Sequence, residues 1–186
     1  SIVNNGITLV LVDSFVEEDI AHAVIATDNY QAGVRMGASM KSHLDKGSWV
    51  GILNHSEGSS TAIEREEGIR MGLTDDKNKI VATYYCNFDI ALAEELTIEM
   101  LNTYPDIAVI AALNQYASIE VGRAVKSLGL EDKIAIYAFD NIKEEIKYLE
   151  EGVFNALLVQ KPFNMGYIAI ETAIKLLSGE KSESKI

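Results

Sequence analysis

The chain has a single cysteine, Cys86, among its 186 residues. One cysteine cannot close an internal disulfide, so cysteine usage does not reveal the redox compartment. Cys86 ends the apolar run 81–86 with neither a His nor a cation beside it, which fits a core thiol better than a nucleophile. Histidine is scarce too. His22, His43 and His55 show no metal-ligand spacing with one another or with Cys86, so no metal and no cofactor is expected. Basic residues are few: 16 Lys and Arg stand against 28 Asp and Glu, for a net charge of −12. Without a basic patch the segment is not expected to bind nucleic acid. An anionic ligand is disfavoured unless a local Arg overrides the charge. No apolar run approaches the roughly 20 residues of a membrane helix, so no membrane insertion is expected. Neither Gly-x-Ser-x-Gly nor a Walker loop is present. The chain is therefore read as a binding module with no catalytic residues, and an enzyme is the weakest reading.

What is present is an alternation of short apolar runs with helical segments. Runs at 7–12, 24–26, 49–53, 80–85, 107–113, 134–139 and 154–159 read as strands. Between them, 30–44, 61–73, 90–103, 116–128, 142–150 and 162–177 read as helices. Thr61 with Glu64, and Asn141 with Glu144, have capping-box spacing; Asp89 stands at an N-cap and Pro162 in a first helical turn. Strand starts recur at strand–helix–strand spacing, so the fold class is α/β, with parallel sheets flanked by helices and right-handed crossovers.

Two breaks interrupt the pattern. After the first strand the chain passes through the charged stretch Glu17–Asp19, and the last helix has no strand after it. The five strands within 49–159 can form a complete sheet. The reading is thus a two-lobed fold whose first lobe is incomplete: 1–27 a remnant of the N-terminal lobe, 28–160 a complete C-terminal lobe, 161–186 a return segment. The start Ser1-Ile2-Val3-Asn4-Asn5-Gly6 has no initiator Met, signal peptide or lipidation box, so the chain reads as a fragment of a longer protein.

In open parallel sheets, ligands bind outside the carboxyl ends of the strands. Those ends carry Asp13, Asn54, Asn87-Phe88-Asp89, Asn114, Asp140 and Gln160. Carboxylates accept hydrogen bonds and amides both donate and accept, so such a set suits a ligand with many hydroxyls. Arg65 can add a guanidinium fork and Phe88 a stacking face. Each has a plainer reading. Asp89 and Asn141 fit helix caps, Asp140 and Asn114 are caps or ligand contacts, Arg65 fits a solvated salt bridge, and Phe88 fits core.

At these residues the chain resembles the type I periplasmic binding proteins, particularly the ribose-binding branch, whose fold is shared by the ligand domains of LacI-type repressors. The resemblance runs through Val10-Leu11-Val12-Asp13, Thr27-Asp28-Asn29 with Gly33, the stretch 59–68, Ala112-Leu113-Asn114, Ala138-Phe139-Asp140 and Val159-Gln160-Lys161-Pro162-Phe163. It implies a sugar or polyol held between two hinged lobes. It places Asp13, Arg65, Asn114, Asp140 and Gln160 at the hydrogen-bonding positions, and Phe88 at the stacking one. Hinge crossings are implied near 26–29 and 160–162. One departure stands out: Ser14 occupies the place where the family's pentose and hexose binders often carry Arg, which removes a bidentate clamp and puts ribose itself in doubt.

The function implied is solute capture for an ABC-type importer, or sensing. A permease partner follows, with an extracytoplasmic location that is periplasmic or lipid-anchored at the cell surface. The alternative is the effector domain of a LacI-type regulator, which would be cytoplasmic.

Overall fold

The computed structural model describes residues 5–16, 20–45, 47–74 and 79–181. The chain start at Ser1–Asn4, the stretch Glu17–Asp19, Lys46, residues 75–78 and the end from Ser182 lie outside the described residues. The chain divides into two compact units, Tyr30–Val159 and a smaller one made of Ser1–Asn29 with Gln160–Ile186.

The smaller unit contains strands β1 (Val10–Val12) and β2 (Ala23–Ile25), paired in parallel, and helix α6 (Pro162–Leu177). Ala23, Ile25 and Ala169 form its buried centre, with Val10, Met165, Ile168 and Leu176 packed around them. The opposite side of α6 leaves Phe163, Tyr167, Ile170, Ile174 and Leu177 exposed. β1 is half as long as its apolar run of 7–12, because β2 offers only three residues of backbone to pair with.

The larger unit follows the alternation read from sequence. Helix α1 (Asn29–Met40) leads into a short 3-10 turn and then β3 (Trp49–Asn54), α2 (Ser60–Gly72) and β4 (Lys79–Tyr85). After these come α3 (Ile90–Thr103), β5 (Ile107–Ala112), α4 (Gln115–Ser127), β6 (Ala135–Phe139), α5 (Lys143–Glu150) and β7 (Ala156–Leu158). The five strands are parallel, in the order β4-β3-β5-β6-β7. β5 shows why its run is continuously apolar: Ile107, Ile110 and Ala112 face one core while Val109 and Ala111 face the other. Helices cover both faces, so neither set can meet water.

The two capping boxes are not formed as expected. α2 is capped at Ser59 without a side-chain hydrogen bond. The Thr61 hydroxyl is instead within reach of His55 Nε2 at 3.0 Å and Ser59 Oγ at 2.8 Å. α5 starts one residue later than expected, so Asn141 is not its cap. Glu145 Oε2, rather than Glu144, accepts the Ile142 N–H at 2.8 Å. The expected Asp89 cap is present: Oδ1 accepts the Leu92 N–H at 3.0 Å.

α1 and α2 meet backbone to backbone. Gly33 and Gly37 face Gly68 and Gly72, and a Cβ on Gly33 would run into the Arg65 carbonyl oxygen. One on Gly68 would run into that of Tyr30. This seam fixes the height of α2, and with it Arg65, against the sheet.

Candidate functional site

The strand order sets the site. From β3 the chain steps through α2 to β4 on one side; from α3 it returns to β5 on the other. The crevice therefore opens at the carboxyl ends of β3 and β5, where helices leave in opposite directions.

Arg65 lies in this crevice, although it stands in the charged run Glu64-Arg65-Glu66-Glu67. It is 3% exposed. Its Nη1 donates to the Leu113 carbonyl at 2.6 Å, and its guanidinium carbon sits 4.2 Å above the Phe139 ring. A buried cation must be paired or hydrogen-bonded, and stacking over an aromatic face adds attraction of about 1–2 kcal/mol. The solvated reading of Arg65 is thus overturned. The helical spacing of the buried residues of α2 explains it: Thr61, Ala62, Arg65, Gly68, Ile69 and Gly72 share one face.

Asn114 and Asp140 flank the same point. Asn114 caps α4, its Oδ1 accepting from the Ala117 N–H at 2.9 Å. Its Nδ2 group and the second lone pair of Oδ1 remain as polar offers. Asp140 follows β6 with φ 82°, a left-handed conformation that costs a non-glycine residue roughly 1–2 kcal/mol. Its Oδ2 accepts the Gln115 N–H at 3.1 Å, so it supports the start of α4 rather than of its own helix.

Phe88 is not core. It is 54% exposed and lies, with Asn87, on a turn where both residues have positive φ (61° and 49°). His55 packs against it, ring centroids 5.3 Å apart. His55 is buried, and its Nδ1 has no hydrogen-bond partner among the described residues. Burial first, and then the Arg65 cation, lower its pKa to about 4 against an opposing pull from Asp140. At neutral pH it is an uncharged imidazole. Sequence reasoning tested His55 only for metal spacing, although its place directly after a strand end was a signal.

The larger unit thus brings Arg65, Asn114 and Asp140 together around the ends of β5 and β6, with Phe88 on His55 beyond the end of β3. Asp13 and Gln160 belong to the smaller unit, both at the carboxyl end of the β1–β2 pair. Asp13 has φ 75° and gives its N–H to Ile25 O at 2.9 Å. Gln160 Oε1 accepts from the Thr27 hydroxyl at 2.9 Å. Among the described residues no group of three or more His, Cys, Asp and Glu is placed to hold a metal ion. No described helix is long and apolar enough to cross a membrane.

A model of the periplasmic binding protein domain matches residues 1–181. The chain belongs to that family. Among periplasmic binding proteins it is similar to the ribose import binding protein RbsB of Haemophilus influenzae, with 31% identity over 162 residues. That match covers 87% of this chain and 55% of the relative, so the chain spans about half the length of the curated relatives it matches. A sugar transporter from Clostridium phytofermentans has the same fold with a TM-score of 0.91 and 43% identity, covering 100% of this chain and 66% of that one. An ABC transporter solute-binding protein from Agrobacterium vitis, solved with D-fucose, matches with a TM-score of 0.92 and 28% identity over 98% of this chain and 64% of its own. The periplasmic binding protein fold thus accounts for both units and for the parallel order of the larger sheet.

Proposed function

We propose that the chain is the greater part of a solute-binding protein that captures a small sugar or polyol for ABC-type import. The observation that carries this reading is Arg65: a buried guanidinium held by a backbone carbonyl and an aromatic ring, beside Asn114 and Asp140 at the switch point of the sheet. Such a group is set before any ligand arrives, so little ordering is required on binding. Its neighbours offer both donors and acceptors, as a polyhydroxylated neutral ligand requires. Relatives that are import-type binding proteins favour capture for uptake over the effector domain of a regulator. They also favour an extracytoplasmic place and a permease partner over an enzyme.

Asp13 and Gln160 are proposed as the second set of ligand groups, from the smaller unit, and Phe88 as the stacking ring. The chain crosses between units at Asn29–Tyr30 and at Val159–Gln160, and we propose these crossings as the hinge of a two-lobed protein. The exposed apolar face of α6 supports a larger N-terminal lobe, because such a face suits burial against further strands.

Thermal unfolding of the protein with a panel of D-ribose, D-allose, D-galactose, D-fucose, D-arabinose and xylitol tests the reading. A true ligand raises the melting temperature as its concentration grows. The response should vanish in Arg65→Ala. No response to any sugar or polyol would overturn the proposal.

A further inference from the structure

Glu145 is a buried acid that the proposed binding chemistry does not use. Its side chain is fully enclosed, in the first turn of α5. One carboxyl oxygen is accounted for by the Ile142 N–H; the other, Oε1, is buried with no hydrogen-bond partner among the described residues. An ionised oxygen in that position is expensive. A protonated one needs only an acceptor, and the Ser118 hydroxyl of α4 lies beside it. Ser118 has a single proton. It reaches the Asn114 carbonyl at 2.7 Å and the Phe139 carbonyl at 3.3 Å. Its Oγ lone pairs are therefore the matching acceptor for a carboxylic acid.

We propose that Glu145 is a positioning residue for the ligand wall: its Oε1–H donates to Ser118 Oγ and, through Ser118, holds the Asn114 carbonyl and the Phe139–Asp140 turn in register. The consequence for ligand binding rests on the sugar-binding reading; the proton on Glu145 does not. Burial raises Glu145 to about 7, with the Asp140 charge adding to it and the Ile142 N–H and Ser118 hydroxyl pulling the other way, so the proton is lost near neutral pH. Once ionised, Glu145 competes for the only Ser118 proton and draws it from the Asn114 carbonyl. It also places a second negative charge next to Asp140. On the packed helices the other charged groups are Glu120, Arg123 and Lys126 of α4 and Lys143, Glu144, Lys147 and Glu150 of α5; Arg123 pairs with Glu120 and reaches Glu144, while Lys126 and Lys147 pair with Glu151. Tyr137, the only titratable residue within the neighbouring strands β6 and β7, faces the opposite core and donates to the Ser39 carbonyl.

The test is NMR on the chain with carbon-13 in its glutamates, across roughly pH 5 to 9. The Glu145 carboxyl should titrate with a midpoint of about 7. The amides of Gln115 and Ala117, which bond to Asp140 and Asn114, should shift with the same midpoint in the wild type. In Glu145→Gln, which keeps a permanent donor at this place, that midpoint should vanish. Calorimetry with the sugar that responds best should then show affinity falling roughly fivefold from acid to alkaline pH in the wild type and staying flat in the variant. A Glu145 midpoint in the ordinary carboxylate range overturns the proposal, as do amides that ignore it. Wild-type titration alone suffices if the variant does not fold. Coupled amides without any sugar response leave Glu145 as a positioning residue and reject the sugar reading instead.

Discussion

Asp13 and Asp140 stand in the same backbone situation. Each follows a parallel strand in the left-handed region, at φ 75° and 82°, and each donates its N–H at 2.9 Å to a carbonyl of the neighbouring strand, Ile25 for one and Leu158 for the other. An L-residue other than glycine in that region is strained. Two aspartates in matching turns, one in each unit, fit the proposal that both carboxylates serve the ligand.

For Asp140→Gly, two stability effects oppose each other. Relief of backbone strain gains roughly 1 kcal/mol, and loss of the hydrogen bond from Gln115 costs about the same. Urea unfolding should find the variant within about 1 kcal/mol of wild type. Calorimetry should find sugar affinity reduced tenfold or more, the effect of losing about 1.4 kcal/mol or more. A large loss of stability would instead make Asp140 structural.

Arg65→Lys tests the fork. Lysine keeps the charge but has neither the planar donors nor the face that rests on Phe139. Stability should fall by about 1–3 kcal/mol, because the buried Leu113 carbonyl loses its donor. Sugar affinity should fall at least tenfold. Retained affinity would show that charge alone suffices at this position.

Much of the fold was legible because buried parallel strands are continuously apolar and helices carry their own stop signals. Strand length was not, since β1 extends only as far as β2 gives it a partner. The α2 capping box failed through a tertiary contact: His55 takes the Thr61 hydroxyl, and nothing local announces that. Arg65 carries two readings in the sequence, a ligand fork and a solvated salt bridge among acidic neighbours, and its helical phase, shared with Ala62 and Ile69, decides that it is buried. Phe88 reads as a stacking ring or as core, and the turn conformation that exposes it has no apolar signature by which the sequence could choose. The buried acid Glu145 was missed because it resembles the exposed Glu144 next to it.

Two buried groups act oppositely on stability as pH changes. Glu145, raised to about 7 from 4.5, contributes fully below 4.5, and the contribution is lost as pH rises toward 7. His55, lowered to about 4 from 6.5, contributes fully above 6.5 and loses its contribution as pH falls toward 4. Between 4.5 and 6.5 the slopes oppose, and the wild-type profile should be comparatively flat. Urea midpoints of Glu145→Gln should climb with pH across that window, and those of His55→Gln should descend. Profiles that both match the wild type would mean that other groups titrate.

The helix seam bears on engineering. Replacing helical glycine by alanine is a standard stabilising change, with a gain of about 1 kcal/mol. By sequence alone Gly33, Gly37, Gly68 and Gly72 all qualify as targets, and by structure every one would drive a methyl group into the facing helix backbone. Gly68→Ala should lower the urea midpoint despite its better helix propensity. Gly166→Ala in α6, where an added Cβ meets nothing within 4 Å among the described residues, should raise it for this chain. A thermostabilisation programme for this chain would start there and treat the four seam positions as closed.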